Sequence, residues 1–562
     1  MDSDAAAAAA AAAPPLRVLL LSLEFLSPFS GNGQYSRCIV RGLKRAGAVV
    51  LVASGRPEGA PLAAQDAEAL GHCAAPHGVL DIPLPTWGRL DRGCAWEAFG
   101  AGCAAAPAAA RMAAFAPHVA CCVDYHAGLA WRALARQLPQ PPPPMVYLNF
   151  RLFCTSTALH APPGPGDAGG VSDAAFYRAA ERASMASAVR TVALCRQDAL
   201  QLLALAAGLD PVSGARAPDA AAAGSGGSGG GSDGSSSGAS RLPHMATLLP
   251  PLRSDVAALV QQHCQPAAAP PPPPPPAASL LPPLAPGHAL LTSLVRLSPE
   301  KNALAVPALL QALQAAHPGA LAALRLQPFF TGCGDSSAYA EEVKAAARAL
   351  APPPVLCSAF LGASDLGLAL RAAALNVHPC LADAYGMTIV EAAAWGVPSL
   401  VSVVGSSSSS SSGGDVEGAQ PQPPLLPPPS ALFEPIGRWG SCCTHVTLAP
   451  LGGSASGERL LALSRALPPV GACDLLAPTP LDGAAEQGVL AFDFGAPREA
   501  QAAALRPLLA LAAARAQGGE GGAVEKVARV ARQRALAWSE EQHGQALAAL
   551  LARTAREGCG SE

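Results

Sequence analysis

Apolar runs a few residues long alternate with helix-periodic stretches along most of the chain, and this alternation defines the predicted elements. Arg17–Glu24 (RVLLLSLE), Val49–Ala53, Val119–Asp124, Met145–Asn149 and Thr191–Leu194 are apolar runs of the kind that form strands buried on both faces. A loop carrying Gly31 and Gly33 follows the first run, then a helix predicted from about Gln34 to Arg45; another helix is predicted over Gly128–Leu138. The pattern restarts at His288–Leu297. It continues as helix Ala303–Ala315, strand Leu324–Phe330, helix Ala338–Leu350, strand Val355–Ala359 and helix Leu366–Ala374. Strand Leu375–His378, helix Thr388–Trp395 and strand Ser399–Val404 follow, and a helical tail of roughly Glu520–Arg553 closes the chain. Strand–helix alternation implies parallel sheets with ligands at the carboxyl ends of the strands. The expected fold class is α/β, two such domains facing across a cleft.

Composition modifies this picture in one respect. The 562 residues include 55 glycines and 57 prolines, gathered with alanine and serine into tracts. GSGGSGGGSDGSSSG at Gly224–Gly238 has a flexible-linker composition, Pro270–Pro276 is a polyproline spacer, and the serine run Ser406–Ser412 leads into a Pro/Gln-rich stretch ending near Pro429. Such tracts bury too little apolar surface to offset their conformational entropy, so they are expected as disordered inserts. The expected organisation is an Ala-rich tail (1–15) and a first domain (16–262, insert about 214–241). A Pro-rich linker (263–286), a second domain (287–510, insert about 405–429) and a helical segment (511–562) packing back on the first domain complete it.

Charge and cysteines exclude several classes. Net charge is −3 from 37 basic and 40 acidic residues, with no basic block, so no nucleic-acid partner is expected. No long apolar run escapes charge or proline, so no membrane span is expected. The N-terminus begins with Asp2 and Asp4 where a secretory signal needs basic residues. The 16 cysteines include no C-x-x-C pair, which supports neither a zinc site nor a disulfide framework. A cytoplasmic protein is the expectation, with organelle targeting left open and oligomeric state unindicated.

Three loops carry candidate chemistry. The strongest runs from His378 to Glu391 (HPCLADAYGMTIVE): a strand ends, Gly386 allows a tight turn, and a helix starts. The backbone N–H groups of Gly386, Met387 and Thr388 then face outward as an anion or hydroxyl site. Asp383 in the loop and Glu391 in the helix could both grip a polyhydroxylated ligand. The second is Arg296-Leu297-Ser298-Pro299-Glu300-Lys301, two cations five residues apart, suited to a diphosphate. The third is Gly31-Asn32-Gly33-Gln34, where absent side chains allow close backbone approach to a phosphate. Each has an ordinary structural explanation in isolation: an N-terminal acid and a solvated helix residue, a surface loop with a Ser298 helix start, a tight βα turn.

Together the loops resemble the retaining GT-B glycosyltransferases, specifically glycosyltransferase family 4 (glycosyl transferases group 1). Arg296…Lys301 is similar to that family's R-x4-K pair, and Asp383…Glu391 to its E-x7-E element, with Asp in place of the first Glu. RLSPEKN, Thr331-Gly332-Cys333-Gly334-Asp335, Phe360-Leu361-Gly362 and the EAAAWGVP run from Glu391 to Pro398 resemble further family segments. SGNGQYSRCIVRGLKRAG resembles its glycine-rich loop and helix. The likeness covers most of the chain outside the inserts and is densest in Leu290–Val404. It implies two Rossmann-like domains and hexosyl transfer from a UDP- or GDP-linked nucleotide-diphosphate sugar to an unidentified acceptor, with retention, no cofactor and no metal. It further implies that Arg296 and Lys301 neutralise the leaving diphosphate with help from the Gly31–Gly33 and Gly386–Thr388 amides. Glu391 would hold the donor ribose, Asp383 a sugar hydroxyl, and His126 a hydroxyl near the transferred sugar. Asn149 and Arg151, placed after a strand, are candidate acceptor contacts. The alternative is a catalytically silent GT-B-like nucleotide-sugar binding or scaffold protein; a phosphorylase would need inorganic phosphate as co-substrate.

Overall fold

The computed structural model describes residues 14–26, 28, 31–62, 64–71, 73–85, 95–139, 141–155, 173–194, 196–209, 243–264, 281, 283–359, 361–380, 386–402, 490–492, 494–519 and 522–559. Asp383 and the three inserts lie outside them.

The first sheet comprises β1 (Arg17–Ser22), β2 (Val49–Pro57), β3 (Gly78–Leu84), β4 (Val119–Val123), β5 (Met145–Asn149), β6 (Arg190–Ala193) and β7 (Met245–Thr247). Its seven strands run parallel in the order β3-β2-β1-β4-β5-β6-β7. The second comprises β8 (Ala289–Ser293), β9 (Leu326–Phe330), β10 (Val355–Leu356), β11 (Ala373–His378), β12 (Ser399–Ser402) and β13 (Leu490–Phe492). Its six parallel strands lie in the order β10-β9-β8-β11-β12-β13. β1, β4, β5, β8 and β11 are the central strands, and almost every residue in them is buried because helices cover both faces. In each sheet the strand order reverses beside the first strand, between β1 and β4 and between β8 and β11. Open α/β sheets bind ligands at such reversals, since adjacent connections leave toward opposite faces and open a crevice.

The strands missed by the sequence reading, β3, β7 and β13, are short or peripheral. β3 alternates buried and exposed positions and carries Pro83, as edge strands do. The first helix begins at Gly31, not at Gln34 (Gly31–Arg45). A Cβ on Gly33 would collide with Pro28 Cβ and stand 2.5 Å from the Glu24 carbonyl, so this glycine admits the chain's own loop. The tail divides into Gly522–Ala537 and Glu540–Cys559. Ser539 stops it with a capping box: its N–H donates to Gln542 Oε1 (2.9 Å) and its hydroxyl accepts from Gln542 N (3.2 Å).

The last helix lies against Gly31–Arg45, and the two backbones cross at Gly42 and Gly544. A Cβ on Gly42 would come within 2.8 Å of the Glu540 carbonyl and 2.9 Å of Gly544 Cα. Around the crossing, Arg41 forks both oxygens of Glu540 (2.9 and 2.6 Å), Ser254 N donates to the same carboxylate (2.8 Å), and Tyr35 Oη meets His543 Nε2 at 3.0 Å. Trp538 Nε1 donates to the Leu249 carbonyl. Burial alone would raise the Glu540 carboxyl, but Arg41 outweighs it and holds the group down at about 2. One apolar cluster runs from β1 and β4 through Leu547 and Leu551 of the last helix to Val390, Ala393 and Ala394 beside the second sheet, so the core is continuous between the halves. Among the described residues no helix is long and apolar enough to cross a membrane.

Candidate active site

At the first reversal, a short polar network ties three strand ends together. Asp124 follows β4 with φ +61°, a left-handed backbone that Asp tolerates better than most residues. Its carboxylate accepts from Asn32 Nδ2 (2.6 Å), Phe150 N (2.6 Å) and Arg151 N (3.1 Å), and is 1 % exposed. The loop after β1, the start of the β4 connection and the end of β5 are thereby fixed to one side chain. Burial pushes this carboxyl up to about 7 against those hydrogen bonds.

His126 lies one helical step further, buried between Tyr125 (ring centroids 3.9 Å apart) and Phe153 (5.3 Å). Both its ring nitrogens are buried without a hydrogen-bond partner among the described residues, unusual for a buried polar group. Burial, then the nearby Arg151 charge, pushes its imidazole down to about 3. At neutral pH it is therefore an uncharged hydrogen-bonding group. Asn149 gives its amide to Tyr147 Oη and the Arg151 carbonyl (3.1 Å each), while its Oδ1 is buried and unpartnered among the described residues. Arg151 lies over the Phe153 ring, 5.2 Å from its centroid.

The second reversal is built differently. After β8 the chain passes through exposed Arg296 into the turn Pro299–Lys301, where Lys301 is half-buried. The turn has no side-chain cap, and the Ser298 hydroxyl expected to cap it is unpartnered among the described residues. Gly332, at φ +74°, supports this loop: a Cβ there would stand 3.0 Å from the Val295 carbonyl and 3.1 Å from Arg296 Cα. After β11, Gly386 (φ 72°, ψ 51°) is the N-cap of the helix Met387–Ala394, again with no side-chain cap. Only glycine adopts that backbone without strain, and a glycine N-cap supplies no side-chain acceptor of its own to the first amides of the helix. Thr388 Oγ1 lies 3.3 Å from Nδ1 of buried His378.

The two reversals meet. A Cβ on Gly31 would stand 3.2 Å from Phe150 Cζ and 3.6 Å from the Met387 sulfur, so the loop after β1, the end of β5 and the Gly386-led helix converge. Gly31, Gly386, Met387 and Thr388 share this cleft. Arg296 and Lys301 follow β8, the strand beside β11. The side of Gly33 where a Cβ would stand packs against Glu24 and Pro28.

Glu391 departs from the solvated residue of the ordinary reading. It is 5 % exposed, and its Oε1 accepts from Arg253 Nη1 at 3.3 Å. Arg253 precedes the helix Ser254–Cys264 and is gripped by Asp255 through Nε (3.1 Å) and Nη2 (2.6 Å). Burial raises the Glu391 carboxyl to about 7 even with Arg253 opposing it. Asp124, Asn32, Arg253 and Asp255 had no role in the sequence reading. Asp124 stood in a visible polar cluster, whereas Arg253 meets a partner 138 residues away and leaves no local pattern.

Two parallel sheets with strand reversals facing one cleft, and a C-terminal helix returning to the first, define the GT-B fold. The chain is similar over nearly its whole length to three solved GT-B enzymes. One is the sucrose-phosphate synthase of Thermosynechococcus elongatus (13% identity, TM-score 0.52, 97% of this chain and 100% of that one). Another is a UDP-forming α,α-trehalose-phosphate synthase of Burkholderia vietnamiensis (12%, TM-score 0.51, 97% and 98%). The third is a trehalose-6-phosphate synthase studied with bisubstrate glycomimetics as an enzyme of glycosyl transfer with retention (12%, TM-score 0.51, 96% and 99%). No family model matches the chain, and no curated protein sequence matches it at a significant level.

Proposed function

We propose that the protein is a glycosyltransferase of the family 4 type, moving a hexosyl group from a UDP- or GDP-linked sugar to an acceptor with retention and without a metal. The observation that carries the reading is the convergence of Gly31, Phe150 and Met387 beside the Gly386-led helix start of a GT-B fold, with the Arg296–Lys301 loop following β8, the strand next to β11. The nucleotide-sugar enzymes of the same fold support it.

As the bond to the anomeric carbon breaks, negative charge grows on the departing diphosphate. Arg296 and Lys301 neutralise that charge, and the Gly386–Thr388 amides, with those near Gly31, donate to its oxygens. Arg supplies a two-pronged contact and Lys a mobile point charge. Glu391 takes ribose hydroxyls, while Asp383 and neutral His126 take hydroxyls of the transferred sugar. The leaving phosphate, on the same face as the acceptor, receives the acceptor hydroxyl proton. Asn149 Oδ1 and Arg151 face the acceptor.

The test is release of nucleoside diphosphate from a panel of UDP- and GDP-sugars with EDTA present, beside Lys301→Ala. Release from one donor, lost in Lys301→Ala, identifies the donor and upholds the reading. Absence of both release and thermal stabilisation by UDP or GDP overturns it. Stabilisation without release, across a panel of acceptors, selects a silent nucleotide-sugar binder instead.

A further inference from the structure

Glu391 has an unusual environment for a ligand-binding carboxylate. It sits in the second turn of Met387–Ala394, away from water, and touches a cation that belongs to the other half of the molecule. Oε1 goes to Arg253, and Oε2 has no hydrogen-bond partner among the described residues. Arg253 is itself 8 % exposed and cannot swing aside, because Asp255 holds it with two bonds. The remaining charged or titratable groups around this pair are Cys38, whose thiol burial keeps protonated, and beyond it Arg41 with Glu540.

We propose that Arg253 is a positioning residue of the nucleotide site: anchored by Asp255, it holds Glu391 in place as an anion, with Oε2 left to accept the ribose hydroxyls of the donor. This rests on the nucleotide-sugar reading above. A carboxylate taken out of water reverts to its neutral acid unless a cation compensates it, and a neutral acid accepts a sugar diol poorly. The arrangement also spans the halves, since Arg253 follows β7 of the first sheet and Glu391 follows β11 of the second. The ribose contact is therefore complete only when both halves are engaged.

The proposal separates from a merely structural salt bridge by sign. Removing Arg253 raises the Glu391 carboxyl, whereas removing the Asp255 charge lowers it, because Asp255 is a like charge nearby. UDP and GDP are titrated calorimetrically into wild type, Arg253→Met, Arg253→Lys, Asp255→Asn and Glu391→Gln across pH 5.5–9. In wild type, affinity falls as the pH drops through about 7, where Glu391 takes up its proton. In Arg253→Met that fall moves to higher pH, each unit of displacement costing up to about tenfold in affinity below it. Arg253→Lys restores most of the affinity, Asp255→Asn moves the fall to lower pH, and Glu391→Gln abolishes it. The nucleotide's own phosphate titration is common to all five proteins and cancels in the differences. Should Arg253→Met prove unfolded by circular dichroism, the Lys and Asn variants carry the same test of sign. Wild-type affinity and midpoint in the Arg253 variants, with Glu391→Gln weakened, overturn the proposal; so does a shift of Asp255→Asn toward higher pH. If neither nucleotide binds wild type at any pH, the nucleotide-site reading itself fails.

Discussion

The two strand reversals come from the same topology and use their polar groups in opposite ways. At the first, Asp124 consumes Asn32 and the amides of Phe150 and Arg151, Gly33 makes room for the chain's own loop, and the polar atoms turn inward. At the second, the N-cap residues Ser298 and Gly386 give no side-chain cap to the Pro299–Lys301 turn and the Met387–Ala394 helix, and Arg296 is exposed. The first reversal ties one carboxylate to three of the protein's own donors, while the second opens on a glycine-led helix start and a loop that carries two cations. A parallel sheet supplies the crevice in both cases; which residues its loops carry decides which side suits an anion.

The largest test of this contrast is Lys301→Ala. Removing a cation aimed at a developing diphosphate charge is expected to lower kcat by about 10²–10³, with little change in melting temperature. Steady-state release of nucleoside diphosphate together with thermal melting measures both. A melting loss as large as the kinetic one would place Lys301 in the scaffold and erase the contrast.

The C-terminal helix gives the next largest effect, this time on stability. Gly544→Ala puts a methyl group into the Gly42 backbone, where no flexible side chain can yield. The helices must part, at an expected cost of about 1–3 kcal/mol in urea unfolding. Activity per folded molecule should change less, because the crossing lies behind the cleft.

Asp124 allows a test by pH. Its carboxyl is near 7 in the folded protein against 3.8 in the ordinary range, so the folded state holds the proton more tightly than the unfolded one. Folded protein then binds more protons between about pH 4 and 7, and this group's contribution to stability declines as the pH rises through that window. Asp124→Asn removes the titration. The stability difference between variant and wild type should therefore move in the variant's favour from pH 4 to pH 7, by on the order of 1–3 kcal/mol. A difference independent of pH would show that Asp124 is accommodated as an ion without strain.

The legible part of the molecule follows the same division. Buried parallel strands announce themselves as unbroken apolar runs, and RVLLLS, VACCV, MVYLN and AALNVH all formed strands. The candidate phosphate groups were readable too, because such chemistry needs recognisable residue types beside strand ends, and Arg296, Lys301 and Gly386 do follow β8 and β11. What escaped was intramolecular satisfaction. Glu391 reads as an ordinary helical acid until Arg253 arrives from another layer, and nothing local marks Asp124 as the acceptor of amides from β5. Gly31 and Gly33 read as one loop, yet a Cβ on the first would approach Phe150 and Met387 and one on the second Pro28 and the Glu24 carbonyl. Edge strands such as β3 escaped because half their side chains face water and the apolar run is broken.

The smallest expected effect distinguishes those two kinds of glycine within the site. Gly332, at φ +74°, lies under the Arg296 loop, and a Cβ would press on the Val295 carbonyl and Arg296 Cα at 3.0 and 3.1 Å. Gly332→Ala is expected to cost about 1 kcal/mol in stability from its backbone alone. Because the displaced atoms carry Arg296, its donor KM should rise several-fold while kcat changes less, the signature of binding lost equally in ground and transition states. Gly33→Ala meets Pro28 and the Glu24 carbonyl instead, atoms of the chain that follows β1. It should lose more stability than Gly332→Ala and less donor affinity per folded molecule. If the two variants instead fell together in both measures, the loop after β1 would hold the donor as closely as the loop after β8, and the division of roles between the two reversals would have to be redrawn.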